Sequence, residues 1–362
     1  MFSIKVHPYQ LHFKKPAGTS RGVLHERNIR FIEFHSPNFT SWGEAGTLPD
    51  LSIDDVPEYD GKLSKTVQLL NEQYAQLLNL PFEELLDILD LSAFPSIAFA
   101  LESAILGWST KKEATIFNSA FVTGEASIPI NGLVWMDNSP NMLMQVEEKI
   151  AQGYACIKLK IGALDFDEEC RLLETIRKKY NAFAIEMRVD ANGAFAPDTA
   201  LEQLKELQRF DLHSIEQPIK QGQWEVMEEL CAKSSLPIAL DEELIGIDPC
   251  SDGAIMLKKI KPQFIILKPS LLGGFTRCKQ WITASQQLNI GYWITSALES
   301  NIGLNAIAQF TSTLQVNIPQ GLGTGQLYTN NISSPLHIAN GALHYIQNKK
   351  WDWKIITTSA EQ

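Results

Sequence analysis

Six charged residues stand at nearly regular intervals in the middle of the chain, and their types suit metal-assisted proton transfer. They are Lys158 and Lys160 in Ile-Lys-Leu-Lys, Asp190 in Met-Arg-Val-Asp, Glu216 in Ser-Ile-Glu-Gln-Pro, Asp241 in Ile-Ala-Leu-Asp and Lys268 in Ile-Ile-Leu-Lys-Pro. From Lys160 onward the intervals are 30, 26, 25 and 27 residues. Three carboxylates without a neighbouring histidine or thiolate make a hard, all-oxygen donor set. Such a set suits Mg2+ or Mn2+, with water and substrate oxygens completing the coordination. Asn192, Gln217 and Glu242 follow the three acids closely enough to orient them. If Lys160 and Lys268 face the same substrate, their mutual repulsion and the nearby ion favour a neutral amine, below the ordinary lysine pKa of about 10.4 and able to act as a base. The plainer alternative is that Lys158 and Lys160 simply pair with Asp190 and Glu216, and that a strand-end aspartate caps a helix.

These residues must be positioned by repeated units. A strand, a loop, a helix and a return loop take about 25 to 30 residues, so the spacing implies a parallel sheet crossed by helices. In a (β/α)8 TIM barrel the C-terminal ends of the strands meet at one mouth, where all six side chains would converge. Strands are expected at residues 132–136, 154–160, 214–216, 237–241, 264–268 and 291–296, with Asp190 closing another and a weak eighth at 316–321. Alternation puts Lys158 and Lys160 on one face, opposite Leu159. Asp165 with Glu168 reads as a capping box opening a helix that runs through Tyr180. Pro197 suits the first turn of a helix carrying Leu201, Leu204 and Leu207.

Ahead of the barrel, residues 1–125 read as an α+β capping domain. Strand-like alternation at 4–13 and 28–35 and around Trp42-Gly43-Glu44 gives way to helical spacing from Leu63, then at 82–91 and 95–108. The barrel is expected over 126–330, and residues 331–362, with Trp351-Asp352-Trp353, as a C-terminal tail packing back on the cap. The site then lies between cap and barrel. Loops 18–22 and 43–49 are candidates for closing it, and Ser296 for a polar contact to substrate. Thr295 to Ser300 reads either as a helix cap or as a carboxylate-binding turn. Residues 321–325, with three glycines, read as an anion cradle or a tight turn.

The 362 residues, 44% of them hydrophobic, suffice for a large core. A formal charge of −11 argues against a nucleic-acid surface and for a small molecule as partner, a carboxylate if the metal and the lysines act on it. Five cysteines, with no Cys-x-x-Cys pair, indicate neither a disulfide framework nor a thiolate zinc site. The N-terminus lacks the apolar core of a signal peptide, and no run approaches a membrane span. A cytoplasmic location is expected, with the oligomeric state left open.

Taken together, these residues resemble the enolase superfamily, in its muconate lactonizing enzyme-like branch with Lys-x-Lys on the second barrel strand and a lysine on the sixth. Arg188-Val189-Asp190-Ala191-Asn192-Gly193, Ser214 to Pro218, Ala239-Leu240-Asp241-Glu242 and Thr295 to Ser300 resemble the o-succinylbenzoate synthase family. The resemblance implies Mg2+ (or Mn2+) on Asp190, Glu216 and Asp241. It implies Lys160 as acid and base, with Lys268 facing it and Lys158 and Ser296 contacting substrate. It further implies dehydration of 2-succinyl-6-hydroxy-2,4-cyclohexadiene-1-carboxylate to o-succinylbenzoate, a step of menaquinone biosynthesis. Glu243 departs from the small hydroxyl residue common at that position. A dipeptide epimerase or N-acylamino acid racemase is the near alternative, since two facing lysines also suit racemisation. Such epimerases carry an Asp-x-Asp at the eighth strand, whereas residues 320–326 contain no acid. A muconate-type cycloisomerase and a non-catalytic metabolite-binding barrel are more distant alternatives.

Overall fold

Apolar and polar residues alternate from Ile4 onward, and the chain accordingly begins as a hairpin of long strands. The computed structural model describes residues 2–19 and 22–358. Strands β1 (Ser3–Thr19), β2 (Gly22–Ser36) and β3 (Phe39–Ala45) form one antiparallel sheet in that order. The turn expected at 18–22 includes Ser20 and Arg21, which lie outside the described residues, as do residue 1 of the cap and residues 359–362 of the expected tail. One face of the sheet buries Ile4, Ile32 and Phe34 against helices α1 (Tyr59–Leu77), α2 (Phe82–Ile88) and α3 (Pro95–Thr110). A Cβ on Gly43 would come within 1.9 Å of the Ala100 carbonyl, so α3 lies directly on β3. Residues 43–45, read from the sequence as part of a closing loop, are therefore strand, and the loop proper starts at Gly46.

After a short strand β4 (Ile128–Pro129), the chain alternates strictly. It runs β5 (Gly132–Val134), α4 (Ser139–Ala151), β6 (Cys156–Lys160), α5 (Phe166–Lys179), β7 (Glu186–Asp190), α6 (Ala200–Leu207), β8 (Ser214–Glu216), α7 (Trp224–Lys233), β9 (Ile238–Leu240) and α8 (Asp252–Ile260). It continues through β10 (Phe264–Leu267), the short α9 (Pro269–Leu272), α10 (Phe275–Gln286), β11 (Gly291–Ile294) and α11 (Asn301–Ser312). The strands form one parallel sheet of seven, in sequence order from β5 to β11. The capping expectation at Asp165 holds in part: its carboxylate accepts from the Asp167 and Glu168 amides, while the Glu168 side chain accepts from Ser139 instead of closing the box. Pro197 lies in the turn ahead of α6, which starts three residues later.

The eighth strand is a correction. Residues 316–321 do not form one; closure rests on two parallel bridges, Ile130 to Gln320 and Thr295 to Gly321. The Gln320 amide donates to the Pro129 carbonyl and the Gly321 amide to the Ile294 carbonyl, at 2.9 and 2.8 Å, so these two residues join both edges of the sheet. A Cβ on Gly321 would lie 2.5 Å from Thr295 Oγ1, which explains the glycine by close approach rather than by a left-handed turn.

The end of the chain contacts both domains. A hairpin of β12 (Leu336–Ala339) and β13 (Ala342–Tyr345) pairs with β4 beside the barrel. Trp351 and Ile356, flanking and within α12 (Lys354–Thr358), pack on Leu11, Phe13 and Phe31 of the cap sheet. Trp353 stacks on Trp42 at 5.4 Å. No helix among the described residues is long and apolar enough to cross a membrane.

Two buried glutamates of the cap dock onto helix N-termini of the barrel, where unpaired amides and the helix dipole favour negative charge. Glu44 on β3 accepts from the Ser300 amide at 2.8 Å and the Gly303 amide at 2.9 Å, at the start of α11. Glu102 on α3 accepts from the amides of Phe275 and Thr276 and from the Thr276 hydroxyl, at the start of α10. Burial outweighs these donors and pushes the Glu102 carboxyl up to about 7 from 4.5. A carboxyl raised on folding contributes stability that is full below about pH 4.5 and lost as pH rises through about 7. That contribution is on the order of 3 kcal/mol for a shift of this size. Thermal unfolding between about pH 5 and about pH 8 should therefore show a falling stability that Glu102→Gln, neutral throughout, flattens. A variant with the same pH slope as the parent chain would contradict this.

Candidate active site

Register places the charged residues in rows. Lys160 on β6 is the cross-strand partner of Asp190 on β7, and Asp190 of Glu216 on β8. One pleat below, Lys158 aligns with Arg188 and Ser214. Asp241 and Lys268 each stand one residue past the end of their strand, beyond β9 and β10. All three carboxylates are at most 2% exposed.

The lysines reach into this row. Lys158 Nζ lies 2.8 Å from Asp190 Oδ2 and also holds Glu216 Oε2. Lys160 Nζ lies 2.9 Å from the same Asp190 oxygen and 2.6 Å from Asn192 Oδ1. Lys268 holds Asp241 Oδ2. The plainer pairing alternative thus describes the contacts made, and the charge of Lys268 differs from the neutral amine expected. Burial disfavours the ammonium of Lys158, but Asp190 and Glu216 outweigh it and hold its pKa above the ordinary value. Lys268 is likewise raised: burial opposes its charge, and Asp241 and Glu216 prevail. Each of these ammoniums is in direct contact with a carboxylate oxygen, so attraction wins.

The acids divide the shortage of positive charge unequally. Burial raises all three, yet Lys158 and Lys160 hold Asp190 well below the carboxylate range, and Lys268 holds Asp241 low. Glu216, between them, is raised well above its ordinary value by burial and by Asp190, despite Lys158. Its Oε1 is buried without a hydrogen-bond partner, with Lys268 Nζ 3.9 Å away. An orphaned carboxylate oxygen beside two further acids is the chemistry of a hard divalent cation site. Lysine contacts occupy one oxygen of each acid, and among the described residues no three acidic, histidine or cysteine side chains converge on one point.

The polar neighbours named from the sequence all touch this set. The Asn192 amide donates to Asp190 Oδ1 at 3.0 Å and its side chain to Glu242 at 3.0 Å. Gln217 Oε1 accepts from the Asp241 amide at 3.1 Å, and its Nε2 donates to Glu243 at 3.0 Å. Glu243 also accepts from the Gly222 amide, so its departure from a small hydroxyl residue supplies a buried brace for Gln217. Asn192 and Gln217 carry positive φ angles of 44° and 39°, a conformation that non-glycine residues hold only when their surroundings fix them. The loop after Lys160 is gathered by Glu169, which accepts from the amides of Gly162, Ala163 and Leu164.

A cavity of ≈ 370 Å³ lies between cap and barrel, and Lys158, Lys160, Lys268 and Asn192 are on its surface. The cap contributes Val23 and Leu24 from β2 and residues 48–51 from the loop after Gly46. Ser296 lines the cavity with its hydroxyl engaged by the Gly321 carbonyl and Thr324. Ser300, by contrast, caps α11, accepting from the Ile302 amide at 3.1 Å. Gly321, Gly323 and Thr324 also reach the cavity. The sequence reading left Thr295 between a helix cap and a carboxylate-binding turn, and did not anticipate that its Oγ1 is buried without a partner on the cavity's surface. It passed over Trp135 and Leu133, which follow the inward alternation of β5.

Residues 141–348 match the family model for the enolase C-terminal domain-like family. An o-succinylbenzoate synthase of Desulfotalea psychrophila is 47% identical over 355 residues, covering 92% of this chain and 96% of that protein. The crystal structure of MenC from Desulfotalea psychrophila superimposes with a TM-score of 0.86 at 42% identity, covering 95% of this chain and 99% of that one. An N-succinylamino acid racemase of an Amycolatopsis species is 25% identical, covering 94% of this chain and 91% of that protein.

Proposed function

We propose that this chain, which belongs to the enolase superfamily and within it to the o-succinylbenzoate synthase family, removes water from 2-succinyl-6-hydroxy-2,4-cyclohexadiene-1-carboxylate to give o-succinylbenzoate. The observation that carries the chemistry is that Lys160 and Lys268, from β6 and β10, line one cavity, each bonded to a carboxylate of the same buried row. A divalent cation, Mg2+ or Mn2+, held by Asp190, Glu216 and Asp241 supplies, when bound, positive charge beside the substrate carboxylate and so acidifies the adjoining carbon.

The chain's own residues do the rest. Lys160, as a neutral amine, takes the proton from the carbon bearing the carboxylate, with Asn192 Oδ1 keeping its Nζ aimed. The Lys268 ammonium faces the substrate from the other side and stabilises the negative charge that builds up there. The carbon–oxygen bond to the neighbouring hydroxyl then breaks, and Lys160 returns its proton to that oxygen so that water leaves. The electron pair of the broken C–H bond completes an aromatic ring, which makes the second step strongly downhill. Ser296, with Thr295 beside it, binds the succinyl tail, and the apolar side chains of Val23, Leu24 and Leu48 keep water out.

The purified protein with Mg2+ is expected to abolish the diene's ultraviolet absorbance and release stoichiometric aromatic product; exhaustive chelation should stop turnover, and Mg2+ or Mn2+ should restore it. A diene left intact while an N-succinylamino acid or dipeptide exchanges its α-proton and inverts would replace dehydration by racemisation. Full turnover in a verified metal-free preparation would remove Asp190, Glu216 and Asp241 from their assigned role.

The two lysines of β6 are expected to separate kinetically. Lys160→Ala should lose about 10² to 10⁴-fold or more in kcat, because one side chain serves as both base and acid. Lys158→Ala, one pleat deeper, should chiefly weaken substrate binding, because it removes an ammonium from the cavity's surface. Near-normal turnover by Lys160→Ala beside an inactive Lys158→Ala would exchange the two roles.

A further inference from the structure

The loop between β11 and α11 forms one wall of the cavity, with Ser296, Ala297 and Leu298 on its surface. Leu298 has a φ of 65°, in the left-handed region that a leucine seldom occupies unless its neighbours hold it there. Two contacts do so. The Ala297 carbonyl accepts from Arg27 Nη1 at 2.9 Å, and the Leu298 carbonyl accepts from the Tyr328 hydroxyl at 2.5 Å.

Arg27 makes a second bond, from Nη2 to the Gly46 carbonyl at 2.9 Å. Gly46 is the point from which the cap loop leaves β3 to bring residues 48–51 onto the cavity. Arg27 itself lies on β2, three residues beyond Leu24, which also lines the cavity. One rigid guanidinium fork therefore joins three segments that line the pocket. It does so from behind, with Arg27 only 4% exposed, and its charge is met by Glu44 and Glu299. Glu299 in turn accepts from the Ala297 amide at 2.6 Å and from the Ser270 hydroxyl, tying the same wall to α9 of the barrel. The wall is thus fixed to the barrel by Glu299 and to the cap by Arg27.

We infer that Arg27 is a positioning residue for substrate binding: its two carbonyl contacts set the separation between the cap loop at 46–51 and the barrel wall at 295–298, and so the size of the pocket that receives the substrate's tail. The kinetic part of this inference rests on the dehydration reading. On that reading the wall touches the substrate's tail and not the carbon that gives up its proton, so it holds substrate and transition state alike, and its loss reads out in KM rather than kcat.

The test uses Arg27→Ala and Arg27→Lys in the full chain, with steady-state kinetics on the cyclohexadiene acid and hydrogen exchange followed by mass spectrometry without substrate. Arg27→Ala is expected to raise KM roughly tenfold or more, as charge-assisted hydrogen bonds are lost, with kcat changed by less than about threefold. Exchange should quicken in residues 22–26, 46–52 and 295–300 and stay unchanged in β6 to β8. Arg27→Lys, whose single ammonium cannot reproduce the fork, should fall between, and it carries both readouts if the alanine variant does not fold. Unaltered kinetics, a fall in kcat at constant KM, or exchange quickened evenly across cap and barrel would each overturn the inference. Should the parent chain leave the diene untouched, the dehydration reading fails, and the exchange pattern still decides whether Arg27 couples the three segments.

Discussion

Three carboxylates on neighbouring strand ends, all taken out of water, are the constraint on which the rest of the structure depends. Buried like charges repel in a low-dielectric interior, and each is costly unless a cation or donor compensates it. The lysines of β6 and β10 answer part of that demand, and the shift of the central Glu216 far above its ordinary value measures what they leave over. The surrounding polar groups follow from the same need. Asn192, Gln217, Glu242 and Glu243 leave little of the row free to turn, because each bonds either an acid of the row or a residue that orients one. The positive φ angles of Asn192 and Gln217 mark where the backbone bends to make those bonds.

The period of charged strand ends was legible because chemistry at a barrel mouth and the βα repeat share one spacing. Lys158 and Lys160 could be given a common face from alternation alone. Their partners could not, because a lysine's four-carbon stem lets Lys158 reach up a pleat to Asp190 and Glu216, and no spacing rule encodes that reach. The eighth strand misled for a related reason. Val316 and Ile318, alternating about Asn317, resemble a strand, yet closure needs only the backbones of Gln320 and Gly321, and the glycine is dictated by Thr295 across the seam. Glu44, Glu102 and Arg27 left no periodic trace at all. Each is a single cap residue whose partners lie in another domain, or along a distant loop, so its role exists only once the chain is folded.

The cap and the barrel contribute different chemistry to one cavity. The barrel brings cations and hydroxyls, held by strands whose register is fixed along whole ladders. The cap brings aliphatic side chains on a loop and a strand end, elements that can yield slightly around a ligand. Docking the two through carboxylates at the N-termini of α10 and α11 joins the cap to the helices that flank β11, rather than to the strands carrying the acids.

The charge balance on the cavity's surface separates substrates that share a scaffold. Lys149, Lys158, Lys160 and Lys268 all reach it, whereas its acid, Asp50, stands at the exposed rim. A dipeptide or amino acid presents an ammonium that asks for an acid deep in the pocket, and residues 320–326 at the seam supply none. A substrate with two carboxylates meets lysines and the hydroxyls of Thr295 and Ser296, while the acids of the row are paired to those lysines and are not themselves on the cavity's surface. What the pocket's charges favour is an anion without an ammonium of its own.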